Sequence, residues 1–127
     1  MEKTKKTIVV IALKSAWNTA RSAGQYAQST IESTLAEVGF IHCSFPSQTM
    51  EIANRRYANN EELVVLLVDP SEVTAEIKYE GAKSGRAGTF PHIYGPLNTD
   101  AVFSVAELKK DKSGQFVEPE ELKKHRA

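Results

Sequence analysis

The chain has 127 residues, which is the size of one ordinary domain with its own hydrophobic core. Sixteen Lys and Arg residues balance sixteen Asp and Glu residues, so the net charge is zero. This balance argues against a general electrostatic binder of nucleic acid, but it allows a small anionic ligand held by a local patch. A single cysteine excludes an internal disulfide and fits a reducing compartment.

The first half of the chain reads as a strand followed by helices. The apolar, β-branched run Thr7–Leu13 predicts a buried strand. A helix over Ser15–Ala23 follows, with Gly24 placed to end it. The sequence Ser29–Glu32 has the pattern of a capping box and predicts a second helix that ends at Gly39.

The second half is richer in strands. A short strand is predicted at Phe40–Cys43, and a helix with Pro46 in its first turn is predicted to end at Asn59-Asn60. Further predicted strands are Leu63–Val68, Val73–Tyr79, Ala101–Leu108 and Gln115–Val117, with a terminal helical turn at Pro119–Lys124. Gly81–Gly88, with Lys83, Ser84 and Arg86, reads as a mobile loop, and Phe90–Leu97 is a compact mix of aromatic residues, proline and glycine. Early helices followed by clustered strands predict a single α+β domain with a mostly antiparallel or mixed sheet.

The ends and the cellular location are predicted from the same patterns. The domain is expected to span residues 1–127, with a basic disordered start at 1–6 and a frayed end at 125–127. The apolar run after the basic start is too short for a signal peptide and is interrupted by Lys14. Six-residue apolar runs are also too short to span a bilayer, which takes about 20 residues. We therefore expect a cytoplasmic protein with no membrane partner.

Two histidines are the main candidates for chemistry. His42 ends a short apolar strand, and His92 lies in the Pro- and Gly-containing segment Phe90–Leu97. Neutral imidazole donates from one ring nitrogen and accepts at the other, so it suits hydroxyl or phosphate recognition and proton transfer. The alternative for each is a half-buried histidine that satisfies a backbone carbonyl.

Other polar residues have two readings each. Ser44 would share a strand face with His42, or it would cap the following helix. Arg55 and Arg56 would clamp a phosphate, or they would only complement the negative end of their helix. Glu80 is a candidate general base or a solvated residue at a strand end. Cys43 is expected to face the core rather than act as a nucleophile, and no metal-ligand spacing is present.

The chain resembles the bacterial family catalogued as domain of unknown function 952. The resemblance rests on Gly39–Ser44 (G-F-I-H-C-S), Ala53–Arg55, and Phe90–Leu97 (F-P-H-I-Y-G-P-L). More distantly, I-H-C-S followed by a helix ending A-N-R-R-Y is similar to RNA 2′-phosphotransferases. This similarity implies an ADP-ribosyltransferase-like fold with a split sheet.

The resemblance implies a cleft that binds NAD, ADP-ribose or a related nucleotide. His42, His92 and Glu80 would then be the catalytic candidates for transfer or hydrolysis at the ribose. The implied ligand-binding residues are Ser44, Asn54, Arg55, Arg56 and Tyr94. No cofactor is required, and NAD is a candidate substrate.

One alternative function is favoured by two departures from the patterns of the related families. Family members often carry a histidine near the position of Val10, so this chain would lack a contact on the nicotinamide side of NAD. The N-terminal lobe of the phosphotransferases has no counterpart here. The chain would then be a non-enzymatic module that keeps the fold and binds a protein or RNA partner, with zero net charge making nucleic acid the less favoured of the two.

Overall fold

The computed structural model describes residues 6–81 and 88–126, and nine strands and four helices lie within these ranges. The strands are β1 Ile8–Leu13, β2 Gln25–Tyr26, β3 Ile41–His42, β4 Leu63–Val68, β5 Glu76–Gly81, β6 Thr89–Tyr94, β7 Leu97–Asn98, β8 Val102–Lys110 and β9 Phe116–Val117. The helices are α1 Lys14–Ala23, α2 Leu35–Val38, α3 Pro46–Arg56 and α4 Glu120–Lys123. Short 3-10 turns occupy Pro70–Glu72 and Thr99–Ala101. The predicted α+β class is confirmed.

Two antiparallel sheets meet at the segment after β3. The larger sheet has the order β1-β4-β8-β9, the smaller has the order β3-β6-β5, and β2 pairs with β7. Val9 and Ser44 exchange backbone hydrogen bonds of 2.8 and 2.9 Å, while the Cys43 N–H donates to the Pro91 carbonyl at 3.1 Å. The chain after β3 thus joins β6 of one sheet to β1 of the other, and the sheets part on either side of this join.

The central strand β4 explains why the core has two halves. All six of its residues are buried between β1 and β8. Because alternate side chains of a strand point to opposite faces, Leu66 packs into one cluster with Trp17 and Ile93, and Leu67 into another with Phe116. A strand covered on both faces has no polar alternation, which is why the sequence shows a continuous apolar run there.

Several predicted boundaries agree with the structure. Gly24 ends α1 with a left-handed φ of 92°, and its N–H donates to the Ala20 carbonyl. Pro46 begins α3, where a missing N–H costs nothing, and the Gln48 side chain accepts from the Phe45 N–H at 2.8 Å. The α3 helix ends at Arg56, earlier than predicted.

One local prediction is wrong. The capping box lies at Thr34 and Glu37, not at Ser29–Glu32, and it opens a helix of only four residues. Most of the segment rich in aromatics, proline and glycine, Phe90–Tyr94, lies within the strand β6. Pro91 lies opposite the point where β3 has ended, and its carbonyl accepts the N–H of Cys43, the residue that follows β3.

The chain ends show more contacts than expected. Residues 1–5, 82–87 and 127 lie outside the described residues, so the predicted loop side chains of Lys83, Ser84 and Arg86 do too. Near the predicted frayed end, the His125 ring lies 5.2 Å from the Phe103 ring, and Arg126 pairs with Glu118 at 3.1 Å.

In the described ranges, every helix is too short or too polar to cross a membrane.

Glycine is required at position 95, directly after β6, because the chain passes very close to Ala75 there. A Cβ at this position would lie 2.8 Å from the Ala75 Cβ. We expect Gly95→Ala to lower the free energy of unfolding by about 1–3 kcal/mol, because one of the two segments must shift. Chemical denaturation measures this value.

Ala75, the residue that the new Cβ would meet, supplies the control. Ala75→Gly removes the Ala75 Cβ from this contact. The double variant Gly95→Ala with Ala75→Gly should therefore be destabilised by less than the sum of the two single changes. Strict additivity would contradict the steric explanation.

Candidate functional site

A cavity of about 400 Å³ opens where the two sheets part. Its walls come from β1, the segment before α2, β3 with the residues flanking it, the end of α3, and β6. The lining residues are Val9, Ile11, Ser29, Thr30, Phe40, His42, Cys43, Ser44, Ile52, Arg55, Arg56, Tyr57, Phe90 and His92. Five of the residues predicted from the sequence are among them: His42, Ser44, Arg55, Arg56 and His92.

The two histidines lie directly opposite each other. His42 on β3 and His92 on β6 are register partners in the antiparallel ladder. Their ring centroids are 5.6 Å apart, and the ring planes meet at 67°. Antiparallel partners place their side chains on the same face of the sheet, so fifty positions of sequence separation become one cross-strand pair.

His92 is held on several sides. Only 4% of the residue is exposed, and its Nδ1 lies 2.6 Å from Glu80 Oε1. The Phe40 ring stacks on the imidazole at 4.2 Å between centroids. Because the ionised carboxylate has no proton to give, Nδ1 is the donor. The neutral ring therefore carries its lone pair on Nε2.

Glu80 accepts a second hydrogen bond at the same oxygen. The Tyr94 hydroxyl donates to Oε1 at 2.7 Å. The hydrogen bond from His92, and to a lesser extent the one from Tyr94, hold the pKa of the Glu80 carboxyl below its ordinary value. The carboxylate in turn raises the pKa of the Tyr94 phenol. Glu80 and Tyr94 are not among the cavity-lining residues, and Glu80 contacts the cavity residue His92 from behind.

His42 has a different neighbour, which the sequence analysis missed. Its Nδ1 lies 2.9 Å from the hydroxyl of Ser29, a residue with 2% exposure. The His42 N–H also donates to the Ser29 carbonyl at 3.0 Å. The sequence indicates a helix cap at Ser29, because serine precedes glutamate at the capping spacing. The contact between Ser29 and His42 joins two separate segments of the chain, and no sequence pattern indicates it.

Two arginines bring positive charge to the cavity. Arg55 and Arg56 are in the last turn of α3. Arg55 Nε lies 3.9 Å from Glu51 Oε2, and both side chains are at least partly exposed. The Arg56 guanidinium lies 5.7 Å from the Tyr57 ring centroid. Both arginines lie at the negative C-terminal end of the helix, as the alternative without a ligand predicts. They also line the cavity.

Asn54 does not belong to the cavity. Its side-chain oxygen accepts the N–H of Phe116 at 2.8 Å and so anchors β9 to α3. The structure thus gives Asn54 a contact within the fold, and its implied ligand-binding role stays a prediction. The difference from Arg55 and Arg56 is one of helical geometry, since consecutive residues point in different directions around the helix.

Ser44 lines the cavity but uses its hydroxyl within the protein. Thr49 Oγ1 donates to the Phe45 carbonyl at 3.0 Å, so the 2.8 Å contact with Ser44 Oγ is one that Ser44 donates. Phe45, not Ser44, occupies the N-cap position of α3. Ser44 shares the His42 face as predicted, but it is not the helix cap.

Val10 and Cys43 belong to the core. Val10 packs in the cluster that contains Trp17, on the face of β1 opposite the lining residues Val9 and Ile11. A side chain at position 10 therefore does not face the cavity, contrary to expectation. Burial raises the pKa of the Cys43 thiol, and its Sγ contacts the Ile41 carbonyl at 3.6 Å. Within the described ranges, no cluster of three His, Cys, Asp or Glu side chains could hold a metal ion.

The Glu80 hydrogen bonds predict a measurable pH effect. We expect Tyr94→Phe to raise the Glu80 pKa part of the way toward its ordinary value, because one of two donors is lost. Since the folded pKa lies below the unfolded one, the ionised carboxylate stabilises the fold above about pH 4.3. This contribution disappears as the pH falls from there through the folded pKa. Carboxyl-carbon NMR titration measures the change, and an unaltered Glu80 pKa in Tyr94→Phe would contradict it.

Comparison with known proteins gives the fold and the family. The crystal structure of protein CC0527 from Caulobacter crescentus has a TM-score of 0.78 and 30% identity, over 93% of this chain and 99% of that chain. The solution NMR structure of the same protein has a TM-score of 0.71 and 29% identity, over 86% and 90%. A search of curated proteins found no match.

The expected likeness to RNA 2′-phosphotransferases and ADP-ribosyltransferases stays a prediction.

The family model described as "Protein of unknown function (DUF952)" matches residues 11–105, from β1 into β8. The matched range includes both histidines, both arginines and Glu80. The chain therefore belongs to this family.

Proposed function

We propose that the cavity binds a small phosphorylated ribonucleotide, of which ADP-ribose and NAD are the first candidates. One observation carries the proposal. His42 and His92 from paired strands face the same cavity as Arg55 and Arg56 from the end of α3. Imidazole and guanidinium groups together are donors suited to phosphate and ribose oxygens.

The arginines supply the charge that an anion needs. The chain has no net charge, so any attraction for phosphate must be local. Arg55 and Arg56 are adjacent, and both line the cavity. A guanidinium group can grip a phosphate with two parallel hydrogen bonds. Glu51 lies at the outer limit of an ion pair with Arg55, so this contact is weak competition for a ligand phosphate.

The rest of the wall suits an apolar, flat group. Val9, Ile11 and Ile52 line the cavity beside the aromatic rings of Phe40 and Phe90. Small-ligand sites typically measure about 300–1,000 Å³, and this cavity of about 400 Å³ lies near the lower end. The volume favours one nucleoside with its phosphate inside. A dinucleotide such as NAD would extend beyond the rim.

The more distant resemblance supports the same ligand class. The motif I-H-C-S followed by a helix ending A-N-R-R-Y is what resembles the RNA 2′-phosphotransferases. His42 and Arg56, from the two ends of that motif, both line the cavity. An ADP-ribosyltransferase-like split sheet with a nucleotide cleft is the fold we infer from this, and transfer or hydrolysis at the ribose is the corresponding reaction.

A two-dimensional amide NMR titration with ADP-ribose, and in parallel with NAD, tests the proposal. We expect shifts concentrated at Ser29–Thr30, Phe40–Ser44, Arg55–Tyr57 and Phe90–His92. Arg55→Ala and Arg56→Ala should each weaken binding about tenfold or more, since each removes a charged donor to phosphate.

Arg126→Ala is the matched control. It removes the same charge at a residue that pairs with Glu118 and does not line the cavity, so affinity should not change. Absence of shifts with both ligands at millimolar concentration, or equal weakening by all three variants, would contradict a nucleotide cavity.

A second candidate function is an interaction module, and one surface feature favours it. Phe103 and Val105, two residues apart on β8, are large apolar side chains that are 50% and 39% exposed. Exposed apolar groups that lie together often mark a contact surface for a protein partner. Silence in the nucleotide titrations would make this the working model.

A further inference from the structure

We propose that His92 binds a ribose hydroxyl group, so that the cavity discriminates ribonucleotides from their deoxy counterparts. His92 is then the specificity-determining residue, and Glu80 is a positioning residue that acts through it. This proposal rests on the proposed function, since a nucleotide must first occupy the cavity. It goes further because it assigns one group of the ligand to one atom of the protein, His92 Nε2.

His92 Nε2 is a buried polar atom that has no hydrogen-bond partner among residues 6–81 and 88–126. Only 4% of His92 is exposed, and the hydrogen bond that its side chain makes to these residues joins Nδ1 to Glu80 Oε1. Its other ring contacts are with the Phe40 and His42 rings, at 4.2 and 5.6 Å between centroids. Buried polar atoms ordinarily have partners, so this nitrogen marks a position for a ligand group.

The same nitrogen faces the cavity. His92 lines the cavity, whereas Glu80, which holds Nδ1, lies outside the lining. The two nitrogens of an imidazole ring point in widely different directions, so a ring whose Nδ1 points away from the cavity turns Nε2 toward it. Phe40, which stacks on the ring, lines the cavity as well and fixes the plane of the imidazole.

Glu80 makes His92 Nε2 an acceptor of hydrogen bonds. The ionised carboxylate has no proton to give, so Nδ1 carries the proton of the neutral ring and the lone pair lies on Nε2. The Tyr94 hydroxyl donates to the same Glu80 oxygen at 2.7 Å. A carboxylate held at two points keeps the imidazole in one tautomer and one orientation.

An acceptor at this position requires a donor on the ligand, and this requirement separates the ribose from the phosphate. A phosphate group near neutral pH is ionised, and its oxygens accept hydrogen bonds. Arg55 and Arg56 line the cavity and can only donate, so they suit the phosphate. A ribose hydroxyl can donate, and it lies next to the phosphate in every ribonucleotide. We therefore assign a ribose hydroxyl to Nε2.

Calorimetric titration of the full chain with adenosine 5′-monophosphate and its analogues tests the assignment. Either the 2′-deoxy or the 3′-deoxy derivative should bind about 10- to 100-fold more weakly, because loss of that hydroxyl leaves Nε2 buried and unpaired. Fluorine in place of the same hydroxyl should weaken binding equally, since fluorine is of similar size but cannot donate. Equal affinity for adenosine 5′-monophosphate and both deoxy derivatives would overturn the proposal.

The adenine amino group is the other donor that could reach an acceptor nitrogen. Purine riboside 5′-monophosphate lacks this amino group and keeps both ribose hydroxyls. It should bind as tightly as adenosine 5′-monophosphate. Weaker binding of purine riboside 5′-monophosphate, with the deoxy derivatives unaffected, would assign Nε2 to the base and overturn the proposal.

His92→Phe should abolish the discrimination. It keeps a flat ring beside Phe40 but has no acceptor, so the affinity for the ribonucleotide should fall to that for the weaker deoxy derivative. Arg55→Ala should weaken both nucleotides equally and leave the ratio of their affinities unchanged. His125→Phe is the matched control, because it is the same substitution outside the cavity and should change neither affinity. A ratio that His92→Phe retains would contradict the role of His92.

Nitrogen-15 NMR of the imidazole rings tests the proposal without any variant, should His92→Phe not fold. At about pH 8, the long-range proton–nitrogen spectrum should show His92 with Nδ1 protonated and Nε2 unprotonated. Adenosine 5′-monophosphate should shift the Nε2 resonance upfield, since its lone pair gains a hydrogen bond, and the weaker deoxy derivative should not. A protonated Nε2 in the free protein would overturn the assignment.

Glu80→Gln tests the positioning role in the same spectra. A neutral amide can donate as well as accept, so the tautomer of His92 with a protonated Nε2 should appear, and the preference over the fluorinated analogue should fall. Glu76→Gln is the matched control, because Glu76 is an exposed glutamate on the same strand and should leave the tautomer unchanged. An unaltered tautomer in Glu80→Gln would show that Glu80 does not act through His92.

The outcomes distinguish this proposal from the proposed function. Binding of adenosine 5′-monophosphate at the cavity, with equal binding of both deoxy derivatives, would overturn the hydroxyl assignment and leave nucleotide binding intact. No binding of any nucleotide would overturn both.

Discussion

The site depends on one short stretch of backbone, Ile41–Ser44, which hydrogen-bonds to both sheets. It pairs with β6 through His42 and His92, and Cys43 donates to Pro91. Two residues after His42, Ser44 exchanges hydrogen bonds with Val9 of β1. A backbone segment has donors and acceptors on both edges, so it can join two strands at once. The cavity lies beside this join, since its lining includes His42, Cys43 and Ser44 together with residues of β1 and β6.

The strand pleat separates core from chemistry at this join. Ile41, Cys43 and Ile93 point into the hydrophobic cluster around Trp17, while His42 and His92 point the other way, into the cavity. The apolar face stabilises the join, and this stability lets the opposite face carry buried polar groups. The buried His92 imidazole and the half-buried His42 imidazole have hydrogen-bond partners in Glu80 and Ser29, respectively.

Sequence reasoning succeeded where a single strand or helix decides the outcome. The continuous apolar run of β4, the glycine that ends α1 and the proline that begins α3 are local signals with a local cause. It did not foresee the orientations of Asn54 and Val10, which depend on where neighbouring elements pack. It also failed at Ser29, because its local capping pattern competes with a buried hydrogen bond to His42, and the tertiary contact prevails.

The α+β class, the family and the residues able to do chemistry can all be read from the amino-acid sequence. These residues are two histidines, two arginines and a glutamate. Which of them lie together depends on the tertiary structure. Register places His42 opposite His92, and the pleat turns both toward one cavity. In the pairing of β5 with β6, Lys78 lies opposite His92. Glu80 is two residues after Lys78 and so lies on the same face of the sheet, within reach of His92. Contacts of this kind are set by strand register, which follows from packing of the whole sheet and not from any local run of residues.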